Sequence, residues 1–212
     1  VEYWEVNNLA LTNEGEQRAP FRFGARVVVD DFGPARHLHF RGLHVHDVNN
    51  VLHDSGSPHG GVKVEQRGGG IVWMTLNSDG AKPSHFDGLR IENCRLERTD
   101  QDGIWGWAGH KDQGKWHPYD RRYWHPNRNV VVRGNRLEDI GGSGIVPRCC
   151  AGCVVEDNIV RVAGQRDRAG VAGLYVWSCD DTVVQRNEIS GVTGAGPDRM
   201  GFDSDFNSRN SL

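Results

Sequence analysis

The feature that most constrains this chain is an internal repeat, because self-similarity at intervals of a few tens of residues selects a stacked architecture before any single element is considered. Val132-Arg-Gly-Asn135-Arg-Leu137, Val155-Glu-Asp-Asn158-Ile-Val160 and Val184-Gln-Arg-Asn187-Glu-Ile189 share one frame. Each runs apolar, two polar or small residues, Asn, one free position, aliphatic. Ile91-Glu-Asn-Cys94-Arg-Leu96 fits it with Cys in the Asn slot, and Leu43-His-Val45-His-Asp47 and Leu9-Ala-Leu11-Thr-Asn13 are weaker copies of its first half. From the second copy onward a glycine-led alternating segment follows: Gly61–Glu65, Gly103–Trp107, Gly144–Arg148, Gly173–Trp177 and Gly201–Asp205. Such runs read as strands entered through tight turns. Successive copies are 41, 23 and 29 residues apart, and none contains ten residues of apolar 3.6-periodicity, so a helical solenoid is excluded. The expectation is one all-β domain over 1–212, a β-solenoid of about six coils. The recurring Asn suits a left-handed backbone position and, stacked one per coil, could form a hydrogen-bonded ladder.

Composition agrees with short strands and many turns: 28 Gly and 7 Trp accompany only 37% hydrophobic residues. A formal charge of −3 with no basic run gives no reason to expect nucleic acid as a partner. No stretch approaches 18 consecutive apolar residues, so no membrane span is expected. Val1 opens the sequence without a charged and then apolar leader, which points to processing or trimming and is compatible with a secreted or periplasmic protein. Five cysteines are an odd number for a paired framework. Cys150 and Cys153 have half the spacing of a zinc site but lack a second pair, so packed thiols are expected. Cys150 and Cys179 fall at equivalent positions, where they could stack or form a disulfide in an oxidising compartment.

The Asn158-type copies with their glycine-led strands resemble the right-handed parallel β-helix of the pectin-lyase-like superfamily, and the likeness covers essentially the whole chain. Among its members the sequence most resembles secreted bacterial β-helix proteins. The resemblance implies a right-handed helix but no particular activity, because this fold hosts many chemistries, and in the lyases of this superfamily an Arg or Lys can act as base. Arg148 is the residue to which that role would fall. The Asn-Thr-Asp, Gly-His-Gly and Arg-Ile-Lys signatures of polygalacturonases and the Trp-Ile-Asp-His signature of pectate lyases are absent, so no catalytic residue carries over by motif. Arg209–Leu212 reads like the opening of another coil, which suggests a fragment of a longer solenoid.

Strand alternation assigns faces. Counting from each leading Gly, the first and third residues are mostly apolar and turn inward. The second and fourth then face out: Lys63 and Glu65, Trp105 and Trp107, Val146 and Arg148, Tyr175 and Trp177, Asp203 and Asp205. With coils about 4.8 Å apart, the fourth-position column spans roughly 19 Å. Aromatic platforms interleaved with charges suit a sugar chain, since rings stack on pyranose faces while charges bind hydroxyls or uronates. The competing reading is a peripheral core covered by loops. The insertions His110–Asn127 and Gln165–Val171 flank this face.

Asp203 and Asp205 on one strand place their Cα atoms about 6.5–7 Å apart on one side. That spacing suits the acid and base of inverting glycoside hydrolysis. With Asn207 the same side chains could instead hold calcium, or simply cap a turn. Asp102 is a weaker catalytic candidate, because Asp-Gly is ordinary turn chemistry. The pairs His37/His39 and His44/His46 are read as solvated. The function expected is an extracellular polysaccharide-active enzyme, a glycoside hydrolase or a uronate lyase. The alternative is a non-catalytic carbohydrate-binding or adhesin-like β-helix.

Overall fold

The computed structural model describes residues 2–52, 68–78, 82–110, 124–166, 171–194 and 198–211. The strands come in rounds of three. The first round is β1 (Trp4–Asn7), β2 (Ala10–Asn13) and β3 (Phe23–Asp30), and the second is β4 (Pro34–Arg41), β5 (His44–Val48) and β6 (Gly69–Asn77). The third is β7 (His85–Glu92), β8 (Arg95–Thr99) and β9 (Ile104–His110). The fourth carries an extra short strand: β10 (Asn127–Arg128), β11 (Val131–Arg133), β12 (Arg136–Ile140) and β13 (Ile145–Val146). So does the fifth, with β14 (Cys150–Ala151), β15 (Val154–Glu156), β16 (Ile159–Ala163) and β17 (Val171–Val176). The sixth is β18 (Val183–Gln185), β19 (Glu188–Val192) and β20 (Arg199–Ser204).

Each strand pairs in parallel with its equivalent one round away, giving three parallel sheets. The first runs β1-β4-β7-β11-β15-β18, with β10 and β14 attached; the second is β2-β5-β8-β12-β16-β19; the third is β3-β6-β9-β13-β17-β20. No helix occurs among the described residues. Sequence neighbours thus lie in different sheets, an all-β arrangement consistent with a β-solenoid.

Parallel, in-register stacking turns each sequence position into a column. In the second sheet Leu11, Val45, Leu96, Leu137, Val160 and Ile189 lie one above another. In the first, Val6, Phe40, Ile91, Val132, Val155 and Val184 do the same. The third contributes Ile71, Ile104, Ile145, Leu174 and Phe202. Apart from Phe202, which is 45% exposed on the last rung, these columns form one continuous core, in which each fully buried aliphatic side chain contributes about 1.5–3 kcal/mol. The outer face of the first sheet alternates charge, Arg41, Glu92, Arg133, Glu156, and Arg133 bonds Glu156 at 2.6 Å. Opposite charges on successive rungs are what in-register stacking demands.

The Asn ladder forms. Asn135 Nδ2 donates to Asn158 Oδ1 and Asn158 Nδ2 to Asn187 Oδ1, both at 2.9 Å, and the Cys94 N–H donates to Asn135 Oδ1. The left-handed residue is one position earlier than expected, however: Asn93, Gly134, Asp157 and Arg186 have φ between 52 and 66°, and Asn135, Asn158 and Asn187 do not have positive φ. The bend needs the left-handed turn first, and the following Asn then points inward to bond its neighbours. The leading glycines have a reason besides the turns ahead of them. Gly103 and Gly144 are not left-handed. They are needed because a Cβ on Gly103 would lie 2.5 Å from Leu137 Cδ2 and 2.7 Å from Gly144 O. The second-round strand of the third sheet is β6, with Gly70 in the glycine column. Gly61–Glu65, including Lys63 and Glu65, lies outside the described residues.

Candidate functional site

The outer face of the third sheet carries two columns. One contains Arg26, Val72, Trp105, Val146, Tyr175 and Asp203; the other contains Val28, Met74, Trp107, Arg148, Trp177 and Asp205. Alternation therefore orients the candidate residues as expected, but their exposure differs from the expected open groove. Trp105 is 1% exposed and Trp107 7%. With Val72 and Val146 they form a second apolar cluster against which Phe23, Met74, Leu76 and Tyr175 pack. Trp105 donates its indole N–H to the Gly68 carbonyl at 2.8 Å, and the two indoles meet edge to face at 6.3 Å. Of the two readings, the peripheral core describes this middle stretch, so Trp105 and Trp107 are not open platforms for a sugar ring.

Arg148 lies at the boundary. Only 6% exposed, it spreads its guanidinium over three rings, with Cζ 5.0 Å from the Trp177 centroid and 5.7 Å from those of Trp107 and Tyr175. One terminal nitrogen donates to the Tyr175 hydroxyl at 2.5 Å, while the buried Nε has no hydrogen-bond partner among the described residues. Burial opposes its charge, yet the Tyr175 hydroxyl and the Asp102 carboxylate raise its pKa above the ordinary arginine value. A guanidinium so enclosed holds Tyr175 and Trp177 in place, and it is poorly placed to take a proton from a substrate.

Beyond Arg148 the face opens. Tyr175 and Trp177 are half-buried, as are Asp203 and Asp205 on the next rung, and Phe206 is 46% exposed. Trp177 packs on Tyr175 at 6.5 Å and on Phe206 at 6.1 Å. Tyr175 is the register partner of Asp203. Partial burial, then the neighbouring charges of Asp205 and Asp198, push the Asp203 carboxyl above the usual carboxylate range. Asp205 Oδ1 accepts the Phe206 N–H at 2.6 Å. Asn207, left-handed at φ 59°, donates its amide weakly to Ser178 Oγ at 3.4 Å. The structure thus gathers Arg148, Tyr175, Trp177, Asp203 and Asp205 at one end of the third sheet.

Asp102 is elsewhere in role. It is 5% exposed and its Oδ1 accepts the Ser143 N–H at 2.8 Å, which fastens the turn ahead of the glycine column. Of the two insertions, residues 111–123 and 167–170 lie outside the described residues. At the end of the first, Trp124 donates its indole N–H to the Ser178 carbonyl at 3.0 Å. Arg166, from the second, turns away to Asp139 and Asp100. There it helps line a cavity of about 350 Å³ with Arg18, Arg98 and Asp47, a polar depression that strand alternation could not reveal. Its charges are largely paired with one another.

All five cysteines are buried thiols. A hydrogen bond with Cys153, then burial, pushes the Cys150 thiol up, and burial does the same to Cys179.

No protein-family model matches the sequence, and no curated protein matches it. Among solved structures, the fold is similar to a GH136 lacto-N-biosidase from Eubacterium ramulus. The native crystal structure superposes with a TM-score of 0.77 at 22% identity, over 99% of this chain and 36% of that one. The selenomethionine derivative gives 0.72 at the same identity and coverage. At this identity the likeness establishes the fold, and the chain spans little more than a third of the neighbour's length.

Proposed function

We propose that this chain is part of a right-handed parallel β-helix of about six coils, belonging to an extracellular carbohydrate-active enzyme, a glycoside hydrolase. Asp203 and Asp205 would form its acid–base pair. The observation that carries this reading is the raised proton affinity of Asp203 beside a second carboxyl, on the rung next to the Tyr175–Trp177 ring pair. A carboxyl that keeps its proton to higher pH can protonate a leaving-group oxygen, while its partner activates a water. Tyr175 and Trp177, stiffened by Arg148 from below, offer the ring face on which a sugar stacks. The fold likeness to a glycosidase supports the same direction. A lyase with Arg148 as base is less favoured because Arg148 is enclosed by rings. Calcium on Asp203, Asp205 and Asn207 belongs to the lyase alternative. The binding-module alternative is favoured by one observation: Asp205 Oδ1 is already bonded to the Phe206 N–H, as a turn-capping Asp would be.

The test is a panel of neutral and uronate polysaccharides with and without EDTA. New reducing ends without ultraviolet absorbance of an unsaturated product support hydrolysis. An EDTA-sensitive ultraviolet signal supports the lyase with calcium, and binding without turnover supports the module.

A further inference from the structure

A separate cluster lies at the opposite end of the molecule, on the outer face of the first sheet. Glu5 of β1 is the register partner of His39 of β4, so their side chains share a face. His37 joins them for a backbone reason. It sits at a left-handed bend, φ 53°, in a column of such bends with Tyr3, Gly88 and Asn129. The imidazoles of His37 and His39 are thereby drawn together, with ring centroids 4.1 Å apart. Glu5 Oε1 lies 2.9 Å from His37 Nε2 and 3.8 Å from His39 Nδ1, and the three potential ligand atoms all fall within 4.8 Å of one another.

We propose that Glu5, His37 and His39 bind one zinc-type divalent ion, clamping β1 onto β4. Three ligand atoms about 2.1 Å from a tetrahedral ion are about 3.4 Å apart, and the two edges at 2.9 and 3.8 Å bracket that spacing. Small side-chain rotations close the triangle. Two imidazoles and a carboxylate are a borderline donor set that favours zinc, nickel or copper over calcium or magnesium. The nearest guanidiniums are engaged by other carboxylates, Arg36 by Glu2 and Arg90 by Glu92. The Tyr3 ring stacks on His37 at 6.0 Å, and His39 is largely sheltered, its side chain 14% exposed. An ordinary surface ion pair needs one imidazole, and here two converge on one carboxylate. Three protein ligands leave a fourth position for water or an incoming group. The site is independent of the acid pair and survives the failure of that reading.

Zinc chloride titrated into the chain by calorimetry tests it, read as stoichiometry per chain. His39→Asn and His37→Asn should each remove one bound ion, Glu5→Gln should weaken it roughly tenfold, and His44→Asn should change nothing. Unchanged stoichiometry in the His37 and His39 variants, or no zinc bound by the parent, overturns the proposal. Should a variant lose its fold by circular dichroism, the parent's imidazole resonances decide. Those of His37 and His39 must shift on adding zinc, and shifts confined to other histidines refute the site.

Discussion

Asp203 carries opposite consequences for stability and for chemistry. Its folded pKa is raised, so its contribution to stability is fully present below the unfolded value of about 3.9 and is lost as pH rises through the folded pKa. At neutral pH the ionised group therefore weakens the fold slightly. Asp203→Asn should raise stability at pH 7 by about 0.5 kcal/mol or less, a gain that vanishes near pH 3, as melting curves at the two pH values would show. Val162 is also at odds with its surroundings: it is β-branched yet left-handed at φ 60°. Val162→Asn should stabilise by about 1 kcal/mol in urea unfolding, since Asn tolerates that conformation far better. The i, i+2 spacing alone put Asp203 and Asp205 on one side of a strand, and both are half-buried there. The Glu5–His37–His39 cluster was not legible in the sequence, because Glu5 is more than thirty residues away and meets His39 only through sheet register.

At the scale of the element, the columns make neighbouring rungs interdependent. Gly144→Ala should cost about 3 kcal/mol, because its Cβ would collide with Val160 and the Gly173 carbonyl. Gly201→Ala, whose Cβ would meet only Ile189 Cγ2 at 3.9 Å, should be nearly neutral. Comparing the two by denaturant unfolding separates close approach from turn geometry as the reason for the glycine column. Asn158→Ala should cost about 3 kcal/mol or more, since it leaves the Val132 carbonyl and the amides of Asn135 and Asn187 short of partners. The Val-x-x-Asn frame announced this ladder, because three stacked Asn side chains can bond one another from rung to rung. The second-round glycine-led strand was misplaced for the converse reason. Gly61-Val-Lys-Val-Glu65 and Gly70-Ile-Val-Trp-Met74 both read as Gly followed by a strand, and only pairing to Ile104 distinguishes them.

Over the whole molecule, the outer charge ladders tie stability to pH. Hydrogen bonds from Arg98 and His46 hold Asp47 well below the usual carboxylate range; Gln185 and Arg133 lower Glu156, and Arg186 lowers Asp157. Groups so depressed contribute stability that is present above about pH 4 and lost as pH falls through their folded values. The melting temperature should accordingly fall between pH 5 and about pH 2, opposite in sign to the Asp203 effect. What alternation could not convey was cover. It oriented Trp105 and Trp107 outward, but Val72, Val146, Phe23, Met74 and Leu76 pack around them, and that confines the candidate site to the Tyr175–Asp205 end. The central claim is tested most directly by reducing-end release from an oligosaccharide panel, comparing the protein with its Asp203→Asn variant. The expected result is release by the parent and a loss of at least about a hundredfold in the variant, with sugar binding and fold retained. Equal turnover by the two proteins would contradict the assignment of Asp203 as the acid.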